Sequence, residues 1–398
     1  MHNYSFFIFI ALHVSALNMA HAFDYFEQYG NSDLKVTGFI EEPSYSGQND
    51  IFLTQQIEPS LFIEQGSIET LVKPRLRVGN NGAGRADLSE AHISFSNQNY
   101  DFRIGSIIEF WGKTESYNPS DIVNSYDYTS GLANSEKLGA PAFKLSSEVY
   151  HGYASFFLFP FFVENAYPGL SSRQRLQTLV SNDVANFANN ASGNDNSFAF
   201  RYEGYYEDLD YGVSYFDGIS REPFFIPGPD TRLLPEYAPI HQIGIDVQYL
   251  LGDLAFKTEM VNRSGQRNVN GVLENYNAGV FGLERSIYGI KDSEYDLILI
   301  GEIAVDSRGR NSHTLFQRDL SVGGTILFND IDDSELNLFF TRDLSYTSMS
   351  TNFSYSTRLN DVFTIETKLN LFSNFEKDSI QAPLEQDSSA SIIINYNW

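Results

Sequence analysis

The ten residues Ser389 to Trp398, SASIIINYNW, decide how the rest of the chain is read. Side chains on an extended strand alternate with a period of two. Ile392, Ile394, Tyr396 and Trp398 therefore share one face, while Ser391, Ile393, Asn395 and Asn397 share the other. One face is apolar and the other mostly polar. A soluble sandwich shows that alternation too, but it rarely sets its last strand at the terminal residue with a bare aromatic end.

Composition narrows the class. The chain has 398 residues, no cysteine, 24 Tyr, 33 Phe and a formal net charge of -25. A cysteine-free chain suits a cytosolic enzyme and equally an envelope protein that avoids oxidative mispairing. The acidic excess excludes nucleic acid as a partner, because phosphates are repelled. It does not exclude a membrane. Beyond the N-terminus no apolar run reaches about 18 residues, which excludes helical spans, whereas a spanning strand needs only about ten alternating residues. Met1 to Ala22 has an apolar centre, Phe6 to Leu12, and closes on Ala20-His21-Ala22, a small-x-small cleavage pattern. A signal peptide over 1–22 is expected, although its start carries His2 and no Lys or Arg, with a single domain over 23–398.

About 18 alternating segments follow, within a range of about 16–18. The first two, Asp33 to Glu41 and Asp50 to Ile63, flank a Pro-Ser-Gly-Asn loop. The third is the cleanest: Ile68, Thr70, Val72, Pro74, Leu76 and Val78 share one face, and Leu71, Lys73, Arg75 and Arg77 the other. Segments four and five, Ala86 to Asn97 and Tyr100 to Phe110, are followed by a long connection from Trp111 to Ala140. A tight turn at Tyr150 and a second long connection, Pro160 to Asn196, come next. Short and long connections alternate to the end, the last long one being Ser373 to Gln386. Both termini then fall on the short-turn side. No repeat or composition shift divides the chain, and the repeated blade motif of a propeller is absent. The expected fold is all-β, a transmembrane antiparallel barrel with short periplasmic turns and long extracellular loops.

Two stretches carry a resemblance. Ile392, Ile394, Tyr396 and Trp398 resemble the C-terminal assembly signal of bacterial outer-membrane proteins, a terminal aromatic preceded by apolar residues at every second position. Trp111, Gly112, Lys113, Asn118, Pro119, Asp121 and Asp127, in RIGSIIEFWGKTESYNPSDIVNSYDY, are similar to a motif of predicted Gram-negative outer-membrane protein families, some porin-like. The resemblance implies an outer-membrane location, contact with lipid and lipopolysaccharide, insertion by the barrel-assembly machinery, and the homotrimer in which many porins occur. By their residue types, Asn118 to Asp121 read as turn and cap residues and Trp111 as an anchor in an interfacial aromatic girdle.

A barrel of 16 to 18 strands leaves an aqueous lumen unless loops enter it. Candidate pore-lining residues are Lys73, Arg75, Arg77, Glu90, Arg103, Glu109, Arg201 and Lys257. The basic ones form a ladder able to lead sugar acids or phosphates through a pore. Equally, Glu90, Asp101 and Glu109 pair them off across the wall, as Glu148, Glu203 and Glu259 do for Lys144, Arg201 and Lys257. Candidate constriction residues are Trp111, Lys113, Asn118 and Asp121 in the first long connection, and Arg173 and Arg175 in the second. There, Ser171 or Ser172 followed by Leu176, Leu179, Val180, Val184 and Phe187 predicts a short amphipathic helix, over the pore or packed on other loops.

Catalysis and metals find little support. His92-Ile93-Ser94 resembles the His-x-Ser arrangement of outer-membrane phospholipase, but Phe95 and Ser96 follow where that family has Asn-Gly, and the alternation turns His92 and Ser94 inward. His92, His151, His241 and His313 lack zinc spacing, and Asp330 to Asp333 lacks a calcium-loop pattern. The sequence therefore points to a porin-like channel for passive diffusion of small hydrophilic solutes, an anionic class among them, with no catalytic residue, metal or cofactor. The alternative is a specific exporter or binding barrel, passing lipid or polysaccharide with a periplasmic or surface partner.

Overall fold

The computed structural model describes residues 23–131, 135–314, 316–376 and 382–398. The expected signal peptide lies outside the described residues. The barrel strands are β1 (Tyr25–Phe39), β2 (Ile51–Gln65), β3 (Ile68–Gly79), β4 (Arg85–Ser96), β5 (Tyr100–Ile107), β6 (Ala140–Glu148), β7 (Gly152–Phe159), β8 (Ser197–Tyr206) and β9 (Leu209–Ile219). They continue as β10 (Pro239–Leu251), β11 (Leu254–Arg267), β12 (Leu273–Ile287), β13 (Asp296–Asp306), β14 (Arg318–Leu327), β15 (Glu335–Asp343), β16 (Met349–Arg358), β17 (Phe363–Ser373) and β18 (Ser389–Asn397). Each pairs antiparallel with the next, and β18 pairs with β1, so the 18-stranded sheet closes on itself. A closed sheet leaves no unpaired edge, the only way a sheet satisfies its backbone in lipid.

The terminal segment is the seam of that closure. Ile394 lies opposite Leu34 and Ile392 opposite Val36, while the Trp398 and Gly30 backbones exchange two hydrogen bonds of 3.1 Å. Alternation is plain here: Ile392 is 52% exposed to the outside, whereas its neighbours Ser391 and Ile393 are 5% and 8% exposed. Likewise Leu76 and Val78 point out and Arg75 and Arg77 in. Pro74 lacks a ladder N–H, and the β3–β4 register shifts between Lys73 and Pro74.

Some boundaries move. The β11–β12 connection is only 268–272, shorter than the alternation of the sequence suggests, because β11 continues past an irregularity between Arg263 and Gln266. Gly265, at φ 86°, takes that bend in a conformation that favours glycine, and the period-two pattern breaks there.

The lumen is not empty. Ile107, Trp111, Ile122 and Val123 pack with Phe157, Phe159, Phe216 and Ile240 in one buried cluster inside the barrel. Each such side chain contributes roughly 1.5–3 kcal/mol when fully buried. The first long loop is thereby glued to the inner wall of β7, β9 and β10.

The amphipathic helix expected after Ser171 or Ser172 is not formed. Val180 instead bridges Leu233, with Leu233 N–H donating to Leu179 O at 2.9 Å and Ser181 N–H to Leu233 O at 2.8 Å. Asn186–Phe187 then pairs in parallel with Glu236–Tyr237. An isolated helix of this length is marginal. Backbone pairing with the 220–238 loop satisfies the same groups and buries Val180 and Tyr237.

Candidate functional site

Chemistry inside the barrel starts where β5 stops at Ile107 and the chain turns into the lumen. Trp111 is 1% exposed, edge-on to Phe157 at 5.8 Å and under the Arg201 guanidinium at 5.3 Å. It is an internal anchor and not part of the lipid-facing girdle, because the strand no longer alternates once it leaves the sheet. Beyond it the loop tip meets two wall carboxylates. Glu259 on β11 accepts from Lys113 N–H at 2.7 Å, Thr114 N–H at 3.0 Å, Thr114 Oγ1 at 2.8 Å and Asn118 Nδ2 at 2.9 Å. Glu302 on β13 accepts from Glu115 N–H at 2.9 Å and Ser116 N–H at 2.7 Å. In ring order β13 is the eighth strand after β5 in a ring of 18, almost opposite, so the tip crosses the lumen.

Glu259 is fully buried and has no basic partner among the described residues. Loop N–H dipoles and side-chain donors balance its charge instead, as in an anion nest. Gly112 makes the approach possible: a Cβ there would lie 2.7 Å from Glu259 Oε1 and 2.5 Å from Asn118 Nδ2. Asn118 also closes the turn, accepting Asp121 N–H at 3.1 Å. Asp121 pairs with Lys137 at 2.5 Å, and burial pushes its carboxyl above the usual range.

Most of the basic ladder is neutralised. Lys73 meets Glu90 at 3.0 Å, and Arg75 meets Asp87 and Glu136 at 2.7 Å each. Arg77 pairs with Asp127, and Lys144 with Glu109 at 2.7 Å. Glu136 and Asp127 belong to the in-folded loop, which covers Arg75 and Arg77 to 4% exposure each. Arg103 donates to Ser94 Oγ at 3.2 Å and has no carboxylate partner among the described residues. Arg201 binds Asp246 at 2.9 Å as well as Glu203 at 3.0 Å. Lys257 reaches Glu284 at 2.7 Å and Glu115 at 2.9 Å, not Glu259, and Lys144 does not pair with Glu148. His92 does face the lumen, 3.4 Å from Ser94 Oγ.

Arg173 and Arg175 act as rivets between loops. Arg173 is fully buried, bonding Asp387 at 3.1 Å, Asp50 at 3.2 Å and the carbonyls of Glu41 and Gln386 at 2.8 and 2.6 Å. Arg175 donates to four backbone carbonyls and stacks on Tyr45 at 4.9 Å. Neither presents a free charge for a solute to meet.

Open volumes lie on both sides of the crossing tip, with Ser116 and Phe316 lining two of them. One, about 620 Å³, is a vestibule among the extracellular loops, walled by Tyr117, Tyr126, Tyr128, Tyr167 and Phe225. The other, about 480 Å³, runs down the wall of β14 to β17 between Asp319, Asp343, Asn337, Asn352 and Asn370. Sequence reasoning passed over Glu302, Asp319 and Asp343. Glu302 carried a signal, being the only charged residue from Leu297 to Val305.

No protein-family model and no curated protein sequence matches the chain. Solved structures do. The Pseudomonas aeruginosa outer-membrane porin OccK2 (OpdF), in complex with glucuronate, is similar at a TM-score of 0.57 and 11% identity, over 94% of this chain and 98% of that one. OccK8 (OprE) of the same organism matches at 0.56 and 10%, over 94% and 98%. OccD3 (OpdP) matches at 0.55 and 7%, over 94% and 92%. This chain has the fold of an 18-stranded outer-membrane porin.

Proposed function

We propose that the chain is a porin-like channel of the bacterial outer membrane, passing small hydrophilic solutes by passive diffusion. The observation that carries this reading is the volume along β14 to β17. On β15 it is lined from Asp343, at the loop end, to Asn337, near the turn end. At about 3.4 Å per residue that is roughly 20 Å of wall, most of a spanning strand. Its lining mixes hydroxyls and amides, including Thr341, Ser350, Ser354 and three Asn, with apolar side chains such as Phe339, Phe353 and Phe372, and the polar groups are the part that water wets. Lipid and lipopolysaccharide surround the apolar outer face in this reading, and the assembly machinery inserts the barrel through its terminal strand. In this reading the copies associate as a homotrimer, which native mass measurement of the detergent-solubilised barrel tests.

Swelling of liposomes that hold the refolded protein tests the reading. Small uncharged sugars should enter, large ones should not, and Asn352→Trp should slow entry by filling the passage. Swelling no faster than in empty liposomes would count against a channel. The vestibule favours a second reading, a binding or export barrel, since loops rather than strands supply nearly all its lining. In that case a ligand binds while uptake stays absent.

A further inference from the structure

Resting on the channel reading, we infer that the passage along β14 to β17 prefers cations to anions, and that Asp319 and Asp343 set this preference. The geometry supplies the sign. Most basic side chains that would attract anions are already engaged: Lys73, Arg75, Arg77, Lys144 and Arg201 each lie within 3.0 Å of a carboxylate, and Arg103, which has no carboxylate partner among the described residues, does not line this passage. The loop further shields Arg75 and Arg77 from the water-filled side.

The lining of the passage has the opposite balance. It holds three carboxylates, Glu115, Asp319 and Asp343, and one ammonium, Lys368. Lys368 is 3.1 Å from Glu366 and Glu115 is 2.9 Å from Lys257, so those two charges are matched. Asp319 and Asp343 are not. They sit opposite one another in the β14–β15 register, each 2% exposed, with no basic partner among the described residues. Asp343 accepts from Gln317 Nε2 and from the N–H groups of Ser345 and Tyr346 at 2.7 and 2.9 Å, and among the described residues Asp319 accepts only the Arg318 N–H at 3.0 Å. A like-charged pair this close holds a shared proton or a cation. Even with one proton shared, the pair keeps a net negative charge on a passage whose other unpaired groups are neutral.

A counter-charge in the wall acts on a passing ion as well as on a bound one, so ion selectivity is the proper readout. The full-length refolded chain in a planar bilayer, under a potassium chloride gradient, should give a reversal potential of cation-selective sign. Asp319→Asn with Asp343→Asn, which removes the net charge of the pair, should lower the potassium-to-chloride permeability ratio about fivefold, the effect of one unit charge about 8 Å from an ion's path in water that attracts one ion and repels the other. Asp319→Asn alone should lower it less, because Asp343 stays charged once the shared proton is gone, and asparagine keeps the oxygen that caps the Ser345 turn. Heat-modifiable gel migration identifies the folded barrels. An anion-selective wild type, or a ratio that neither variant moves, overturns the inference and leaves the channel reading standing. A folded barrel that carries no current overturns the channel reading itself, and this inference with it.

Discussion

Glu259→Ala is the sharpest probe of how the lumen is narrowed. In the wild type one carboxylate oxygen collects four donors from the tip at 2.7 to 3.0 Å, and the other lies 3.4 Å from Ser120 N–H. A hydrogen bond to a charged group contributes about 1.5–3 kcal/mol, but water in the lumen replaces much of that for donors set free. A net loss of about 3 kcal/mol follows, or roughly a hundredfold rise in the time the tip spends detached. The tip is loosened and not lost, because Glu302 still holds Glu115 and Ser116 and Trp111 stays packed on Phe157. Single-channel recording should show a larger conductance with added open-state noise. The barrel itself should stay folded, since the substitution leaves every ladder hydrogen bond in place. A folded Glu259→Ala barrel with the conductance and noise of the wild type would refute the clamp.

Other perturbations follow from the same contacts. Gly112→Ala puts a methyl 2.7 Å from Glu259 Oε1, so it should reproduce part of the Glu259→Ala phenotype in the same recording. Removal of Trp398 takes away the paired backbone contact with Gly30 and the ring stacked on Tyr396 at 5.6 Å. The yield of heat-modifiable, folded barrel should fall severalfold, while deletion of Asp24 should have little effect. Burial, with Glu41 adding and Arg173 opposing, pushes the Asp387 carboxyl up to about 6 from an ordinary 3.8. A raised value means that docking of the 160–196 loop is strongest below about pH 4 and weakens as pH rises through about 6. The full span is worth at most about 3 kcal/mol. Hydrogen exchange over residues 170–176, corrected for intrinsic rates, should speed up across that window in the wild type and not in Asp387→Asn.

How much was legible in the sequence follows from which interactions are local. Facing on β3, β5 and β18 was readable because alternation is a property of consecutive residues, and the strand number followed from connection lengths. Lys73 with Glu90 was readable too, since neighbouring strands place them side by side. What failed was non-local. Glu259 lies two residues from Lys257, yet its donors lie more than a hundred residues away, on a loop whose path no periodicity records. Trp111 follows directly on an amphipathic strand, and only the inward turn after Ile107 distinguishes an internal anchor from a girdle residue. The apolar stripe from Leu176 to Phe187 fits helical spacing. The 220–238 loop supplies backbone partners that make the extended form cheaper.

The measurement that bears most directly on the whole account is single-channel conductance of the refolded protein in a planar bilayer. A lumen crossed but not sealed by its first long loop should give stable, ohmic current steps. Folded barrels that insert and pass no current would contradict it, and would mean that the loops close the β14 to β17 passage.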